Sequence, residues 1–229
     1  MENTVIRLKD KYLTDKEIQV LLDGLPYYSK KRIMLEVLII CGLRTIEMCE
    51  LHISNFSDDF KILRYMPKKQ GNVKITYKRF IPKWFSDKLK VYLKYIDLGE
   101  TGGYLFTSKG HGTKQTNRGY SPRTFREWYV KYRKELFNNG HEFVYDIYQL
   151  VIFPDGKQKK LYRSGLHSLR SVWVTKMIKS IVDNSKNPER DLMSFSKSIH
   201  KEFKTTWKYF RPLNKDDILL KATQDVYGE

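Results

Sequence analysis

The stretch 29–41 constrains the fold more than any other part of the chain. Ile33, Leu35, Val37, Leu38, Ile39 and Ile40 put apolar groups on nearly every side of a helix. A helix with no polar stripe is one that others enclose, so this segment is expected at the centre of the molecule. Gly42 breaks it, and Thr45 opens a short helix through Leu51. With 229 residues the chain is long enough to build a substantial core around such an element, as one domain or a domain with small appendages.

The flanking segments are amphipathic and short. Thr14 with Glu17 three residues on is a capping box, and Ile18, Leu21 and Leu22 give the helix that follows its apolar face. From Lys61 the period changes to two. Segments 61–67 and 73–81 flank the turn 68–72 and predict a β-hairpin. A helix is expected over 82–96, with Trp84, Leu89, Tyr92 and Leu93 on its apolar side. Residues 107–121 read as a loop. Ser121-Pro122 starts a helix to about Asn138, with proline at its first position. Residues 142–163 predict a second hairpin, strand-like from Phe143 to Phe153 and turning at Asp155-Gly156. His167 leads into a helix to about Val182, Asn187-Pro188 into another, and Asn214 into a last one. The fold class is mainly α with small antiparallel β-hairpins (α+β), without βαβ alternation. Residues 1–12 read as a loose lead-in, 13–213 as the domain proper with 142–163 inserted in it, and 214–229 as a tail helix.

Lys and Arg outnumber Asp and Glu by 43 − 26, a net charge of +17. A polyanion is the simplest partner for so much like charge on one domain, although charge alone does not separate DNA from RNA or binding from catalysis. No apolar run reaches 18 residues, so no membrane span is expected, and no secretory leader is visible at the charged N-terminus. Cys41 and Cys49, eight apart in one helical pattern, read as reduced core thiols. No zinc-ligand spacing occurs.

Chemistry-bearing residues recur in three short segments. Arg44 follows the glycine that ends the central helix, where a planar guanidinium can face a phosphate from an anchored backbone. His167 and Arg170, at i and i+3 near a helix start, share one face at an end that favours anions. His200 precedes Tyr209 by nine residues, with Thr205-Thr206 between. Two arginines, two histidines and a tyrosine suffice to attack a phosphodiester without a metal. In order, Gly42-Leu43-Arg44-Thr45-Ile46-Glu47, a lysine-bearing hairpin, His167-Ser168-Leu169-Arg170 and His200…Tyr209 resemble the catalytic domain of the tyrosine recombinases (the phage integrase family, with its Xer-type and Cre-like members). Cys41, Met48 and Ser171 depart from the common boxes, and Ser198-Ile199 replaces the usual Leu-Gly before the histidine.

The resemblance implies a site-specific recombinase or integrase acting on double-stranded DNA through a 3′-phosphotyrosine intermediate, with neither metal nor ATP. Arg44 and Arg170 would clamp the scissile phosphate, Tyr209 would attack it, and His167 would serve as acid or base. His200 would bond the phosphate, and Lys68 would protonate the leaving 5′-oxygen, with Lys69 its rival because the turn register can slip by one. Glu47 would orient Arg44 or His167. The resemblance also implies self-association on DNA as a dimer or tetramer, with the tail 214–229 docking in trans or packing in cis, and a cytoplasmic location on nucleoid or host DNA. Family members usually carry an N-terminal clamp domain ahead of this region, so a catalytic-domain-only member or a fragment is expected. The 142–163 insert, found in divergent viral or plasmid integrases of archaea, suggests a mobile element. Two other readings stay open: a DNA-binding protein of the same fold that no longer recombines, and a nicking-closing enzyme like the type IB topoisomerases.

Overall fold

The computed structural model describes residues 4–7, 12–67, 76–96, 102–107 and 119–199. Lys68, Lys69, His200, Tyr209 and the tail 214–229 lie outside them, as does most of the loop expected at 107–121. The chain divides into two compact units between Arg170 and Ser171.

Helix α1 (Asp15–Asp23) starts at the capping box read from the sequence: the Thr14 hydroxyl accepts the Glu17 N–H, and Glu17 accepts the Thr14 N–H at 2.7 Å. Helix α2 (Lys30–Cys41) is the enclosed element, with Ile33, Met34, Leu35 and Leu38 at 0% exposure. Truncating one such leucine to alanine costs about 2–5 kcal/mol, so this helix anchors the unit. It also carries Glu36, which is buried and joins Lys88 at 2.7 Å and Arg32 at 3.2 Å. Burying these charges requires that they pair. Gly42 ends α2 in the left-handed region (φ 62°), where a side chain would be strained. Helix α3 (Thr45–Cys49) follows at once. Cys41 and Cys49 are both buried free thiols, but they sit on separate helices rather than in one pattern.

Strands β2 (Ile62–Tyr65) and β3 (Tyr77–Phe80) form the first hairpin, in register from Ile62↔Phe80 to Tyr65↔Tyr77. Helix α4 (Lys83–Leu93) is shorter at both ends than expected. Trp84 is 53% exposed, not on the apolar side, because Phe85, Lys88, Leu89 and Tyr92 define the buried face and residue 84 falls one step off it. Helix α5 (Pro122–Asn138) begins as read, with the Ser121 hydroxyl accepting the Thr124 N–H.

The insert differs most from expectation. Residues Glu142–Tyr145 form a 3-10 turn, and the hairpin proper is β4 (Ile147–Ile152) with β5 (Gln158–Tyr162), turning at Gly156 (φ 78°). The supposed lead-in supplies another strand, β1 (Thr4–Arg7), antiparallel to β4 with Thr4 opposite Ile152, so the sheet order is β1-β4-β5. Two adjacent apolar residues, Val5 and Ile6, are too little pattern to announce a strand whose partner lies so far along the chain. The foot of the insert is bolted down. Arg163 donates to Glu17 at 2.8 Å, to Asp146 at 2.9 Å and to the Tyr12 carbonyl at 3.0 Å, while Tyr129 of α5 donates to the Ser164 carbonyl at 2.6 Å. These bonds fix the chain just before helix α6 (Leu166–Asn184).

In the second unit, the part of α6 from Ser171 onward and helix α7 (Pro188–Ile199) enclose Val174, Ile178, Leu192 and Ile199. Trp173 and Phe195 meet at 5.5 Å beside them. Asn187 caps α7 through the Arg190 N–H, as its Asn-Pro step foretold. No described helix is long and apolar enough to cross a membrane. The observed class, mostly helical with small antiparallel sheets, is the one read from the sequence.

Candidate active site

The reversal at Gly42 turns the chain from the end of α2 into the start of α3, and Arg44 stands at that start with extended backbone (φ −75°, ψ 153°). Glu47, three residues on, folds back over the turn. Its carboxylate accepts the Arg44 backbone N–H at 2.7 Å and the Arg44 guanidinium at 2.7 Å. The Glu47 side chain is 2% exposed and that of Arg44 is 29% exposed, so the acid is buried beneath an arginine that reaches the surface.

Arg170 arrives from the first turn of α6. Its side chain is 3% exposed, its Nη1 donates to the Gly42 carbonyl at 2.8 Å, and the same nitrogen lies 3.8 Å from the Glu47 carboxylate. Glu47 therefore serves both arginines. The backbone helps as well. The last carbonyls of a helix lack intrahelical partners and carry partial negative charge. Arg79 of β3 takes the Cys41 carbonyl at 3.2 Å and Arg170 takes the next one, that of Gly42. The end of α2 and one buried carboxylate thus hold guanidinium groups together that would otherwise repel.

A cleft of about 290 Å³ opens over this cluster, lined by Leu43, Arg44, Thr45, Ile46, Arg126, Leu166, His167 and Arg170. His167 is exposed at its wall, at the second residue of α6, where the helix's free N–H groups favour an anion. Two segments that carried separate motifs in the sequence, one at residue 44 and one at residues 167 and 170, therefore line one opening. Lys68, Lys69, His200 and Tyr209 fall outside the described residues.

The sequence reading missed Arg126. It lies in the first turns of α5 and is exposed at the cleft wall. In a chain with 43 Lys and Arg nothing local distinguishes it from a solvated charge. Tyr65 and Arg79 were also missed. Both are buried on the β2–β3 hairpin, and Arg79 donates to the Tyr65 hydroxyl at 2.8 Å. Burial pushes the Tyr65 phenol above its ordinary range, with Arg79 pulling the other way. Glu47, Arg170 and Arg44 also bear on it, which places it beside the same cluster.

The sequence profile of the phage integrase family matches residues 11–187, a span that includes Arg44, Glu47, His167 and Arg170. No curated protein sequence matches the chain. Among solved structures, XerA recombinase superposes with a TM-score of 0.59 at 19% identity, over 94% of this chain and 63% of that one. The Tn1549 transposon integrase in complex with circular intermediate DNA gives 0.59 at 16% identity, over 94% and 66%. A lambda integrase dimer bound to a COC′ core site gives 0.54 at 18%, over 89% and 49%. The chain thus spans between about half and two thirds of the length of these recombinases. The shared fold is that of tyrosine recombinase catalytic domains, and with the match over most of its length the chain belongs to the phage integrase family.

Proposed function

We propose that this chain is the catalytic domain, residues 13–213, of a site-specific DNA recombinase that cuts and rejoins strands through a phosphotyrosine link. The observation that carries the reading is the cleft in which Arg44, Arg170 and His167 meet over one buried carboxylate. Arg44, Arg170 and Glu47 sum to a charge of +1, matched to a phosphodiester monoanion. A second negative charge, developing as the phosphorus becomes five-coordinate, meets Arg126 and the N-terminus of α6. Arg170, enclosed and bonded to backbone, is preorganised. Arg44, nearer the surface, meets the substrate first.

In this reading Tyr209 attacks phosphorus, the Tyr209 Oη–P bond forms and the P–O5′ bond breaks. His167 takes the phenol proton, Lys68 or Lys69 gives one to the leaving 5′-oxygen, and His200 bonds a non-bridging oxygen. The phosphotyrosine keeps the energy of the broken phosphodiester, so rejoining needs no nucleotide. Attack by the 5′-hydroxyl of a second duplex completes recombination, which requires copies of the protein assembled on double-stranded DNA. The solved XerH, Tn1549 and lambda integrase structures are DNA complexes, which supports the choice of DNA as partner.

The test is covalent capture. A nicked suicide duplex, from which the cleaved 5′ fragment diffuses away, should trap the wild-type chain on DNA in the presence of chelator. Tyr209→Phe should trap none. An adduct formed equally by Tyr209→Phe would overturn the nucleophile, and no adduct from the wild type on any family-like site would sink the catalytic reading.

A further inference from the structure

The cleft has room for more than a phosphate. Its volume of about 290 Å³ is that of about ten water molecules at liquid density, several times what a phosphate group fills. Its lining is also of two kinds. Arg44, Arg126 and Arg170 bring charge, whereas Ile46 and Leu166 bring hydrocarbon. Ile46, the second residue of α3, is 38% exposed, and Leu166, the first residue of α6, is half-buried. A lone apolar side chain at a surface needs no explanation. Two from different helices that line one opening together with three arginines do, because ligand sites combine an apolar wall with a few convergent polar groups.

The backbone holds this wall close to the charge. Leu166 and Arg170 are i and i+4 on α6, so they share a face with their Cβ atoms about 6 Å apart. Ile46 follows Arg44 by two residues across the start of α3. A group resting on the wall must therefore be joined closely to the anion held by the arginines. In a nucleic acid strand the sugar meets this condition, since a single ester oxygen separates its ring from phosphorus, whereas the base lies further off. We propose that Ile46 and Leu166 form the seat for the deoxyribose attached to the phosphate in the cleft, and that this wall selects a sugar without a 2′-hydroxyl. The inference rests on the phosphodiester reading of the cleft given above. It adds a reason for DNA over RNA, which net charge does not supply. A 2′-hydroxyl set against hydrocarbon loses its water and gains no partner. Among the described lining residues the one neutral hydroxyl is that of Thr45.

The test uses three probes with the same single negative charge, so that salt and long-range attraction act on all of them alike. They are dimethyl phosphate, the base-free 1,2-dideoxyribose 3′-(methyl phosphate), and its counterpart bearing a 2′-hydroxyl. Binding to the full chain is read by NMR titration, from the Ile46 methyl and His167 ring signals in wild type and from His167 in the variants. The dideoxyribose probe should bind about fivefold more tightly than dimethyl phosphate, the gain from covering one face of the ring. The 2′-hydroxyl should remove at least that factor. Ile46→Ala should bring both ratios toward one, and Ile46→Leu, which keeps the hydrocarbon, should retain them. Equal affinity for dimethyl phosphate and the dideoxyribose probe, or ratios unchanged in Ile46→Ala, overturns the sugar seat. Equal affinity for the two sugar probes means that Thr45 or water serves the hydroxyl, and overturns the selection against ribose. If none of the probes moves either signal, the phosphodiester reading of the cleft fails and takes this inference with it.

Discussion

Replacing Glu47 by glutamine tests the logic of the cluster. The substitution keeps the shape of the side chain and removes its charge. Glu47 takes two 2.7 Å bonds from Arg44 and stands 3.8 Å from Arg170, with 2% of its side chain exposed. Opposite charges about 4 Å apart interact by about 4 kcal/mol at an effective dielectric constant near 20. Glutamine forgoes two such attractions, retains acceptor capacity for one N–H, and no longer bears the cost of burying a carboxylate. Breaking a buried pair by removing one partner costs about 3–5 kcal/mol. The lower end applies here, because Arg44 can swing toward water, so a loss of about 3 kcal/mol is expected. Urea unfolding followed by circular dichroism should show a lower midpoint with unchanged slope. The same charge change should have an opposite sign toward anions. The trio of Arg44, Arg170 and residue 47 goes from a net +1 to +2, so sulfate or a short duplex should restore more stability to Glu47→Gln than to wild type, by mass action on the native state. A variant within about 0.5 kcal/mol of wild type, a difference typical of neutral surface changes, would refute the claim that Glu47 neutralises the pair. Equal anion effects on both proteins would refute the claim that the phosphate takes over its role.

Arg126→Ala should leave unfolding unchanged and lower the slope of log affinity for DNA against log salt by about 0.9, the loss of one phosphate contact; an unchanged slope would remove Arg126 from the DNA face. Burial, then the neighbouring Lys30, lowers the Lys31 ammonium from 10.5 to about 8. Between those values the unfolded chain holds a proton that the native one has released, so Lys31 by itself contributes stability that grows as pH goes from 8 to 10.5 and is absent below pH 8, against the opposite slope that the buried thiols of Cys41 and Cys49 impose above pH 9. The gap in urea midpoints between wild type and Lys31→Met should therefore widen from pH 8 to 10.5, and parallel pH profiles would contradict the assignment. Burial pushes the Cys41 and Cys49 thiols up to about 12, so iodoacetamide at pH 8 should label neither in the native protein and both in urea, as read by mass; rapid native labelling would show that the first unit opens at α2 and α3.

What the sequence revealed and what it hid follow from the range of the forces involved. Helix ends were legible because caps are local: Thr14 with Glu17, Ser121 with Pro122, Asn187 with Pro188 and the left-handed Gly42 each act within four residues. The enclosed helix was legible because an apolar surface on all sides has one stable environment. Strand β1 was not, because its register with β4 is set by a partner about 145 residues away and its four residues carry little pattern of their own. Trp84 misled because aromatic bulk was taken as burial, whereas the spacing of Phe85, Leu89 and Tyr92 decides the face. Arg44, His167 and Arg170 stood out because each is embedded in a short motif. Arg79 and Arg126, chemically their equals, stand among 43 basic residues without one. For them only the fold tells a clamp or a cleft wall from a solvated charge.

The placement of the cluster at the end of α2 has its own physical reason. A phosphate site needs positive charge that stays assembled before the phosphate comes, and like charges confined to one cleft repel. One carboxylate is too little for Arg44, Arg170 and Arg79, and a second would cancel the attraction for substrate. Helix carbonyls resolve this, since they offer partial negative charge and fixed geometry without a full counter-charge. The carbonyls of Cys41 and Gly42 absorb Arg79 and Arg170, leaving Glu47 mainly to Arg44. This accounts for a largely enclosed helix running straight into a cluster of arginines. The core fixes α2, α2 fixes the direction of its last carbonyls, and those carbonyls fix the arginines to within a hydrogen bond's tolerance.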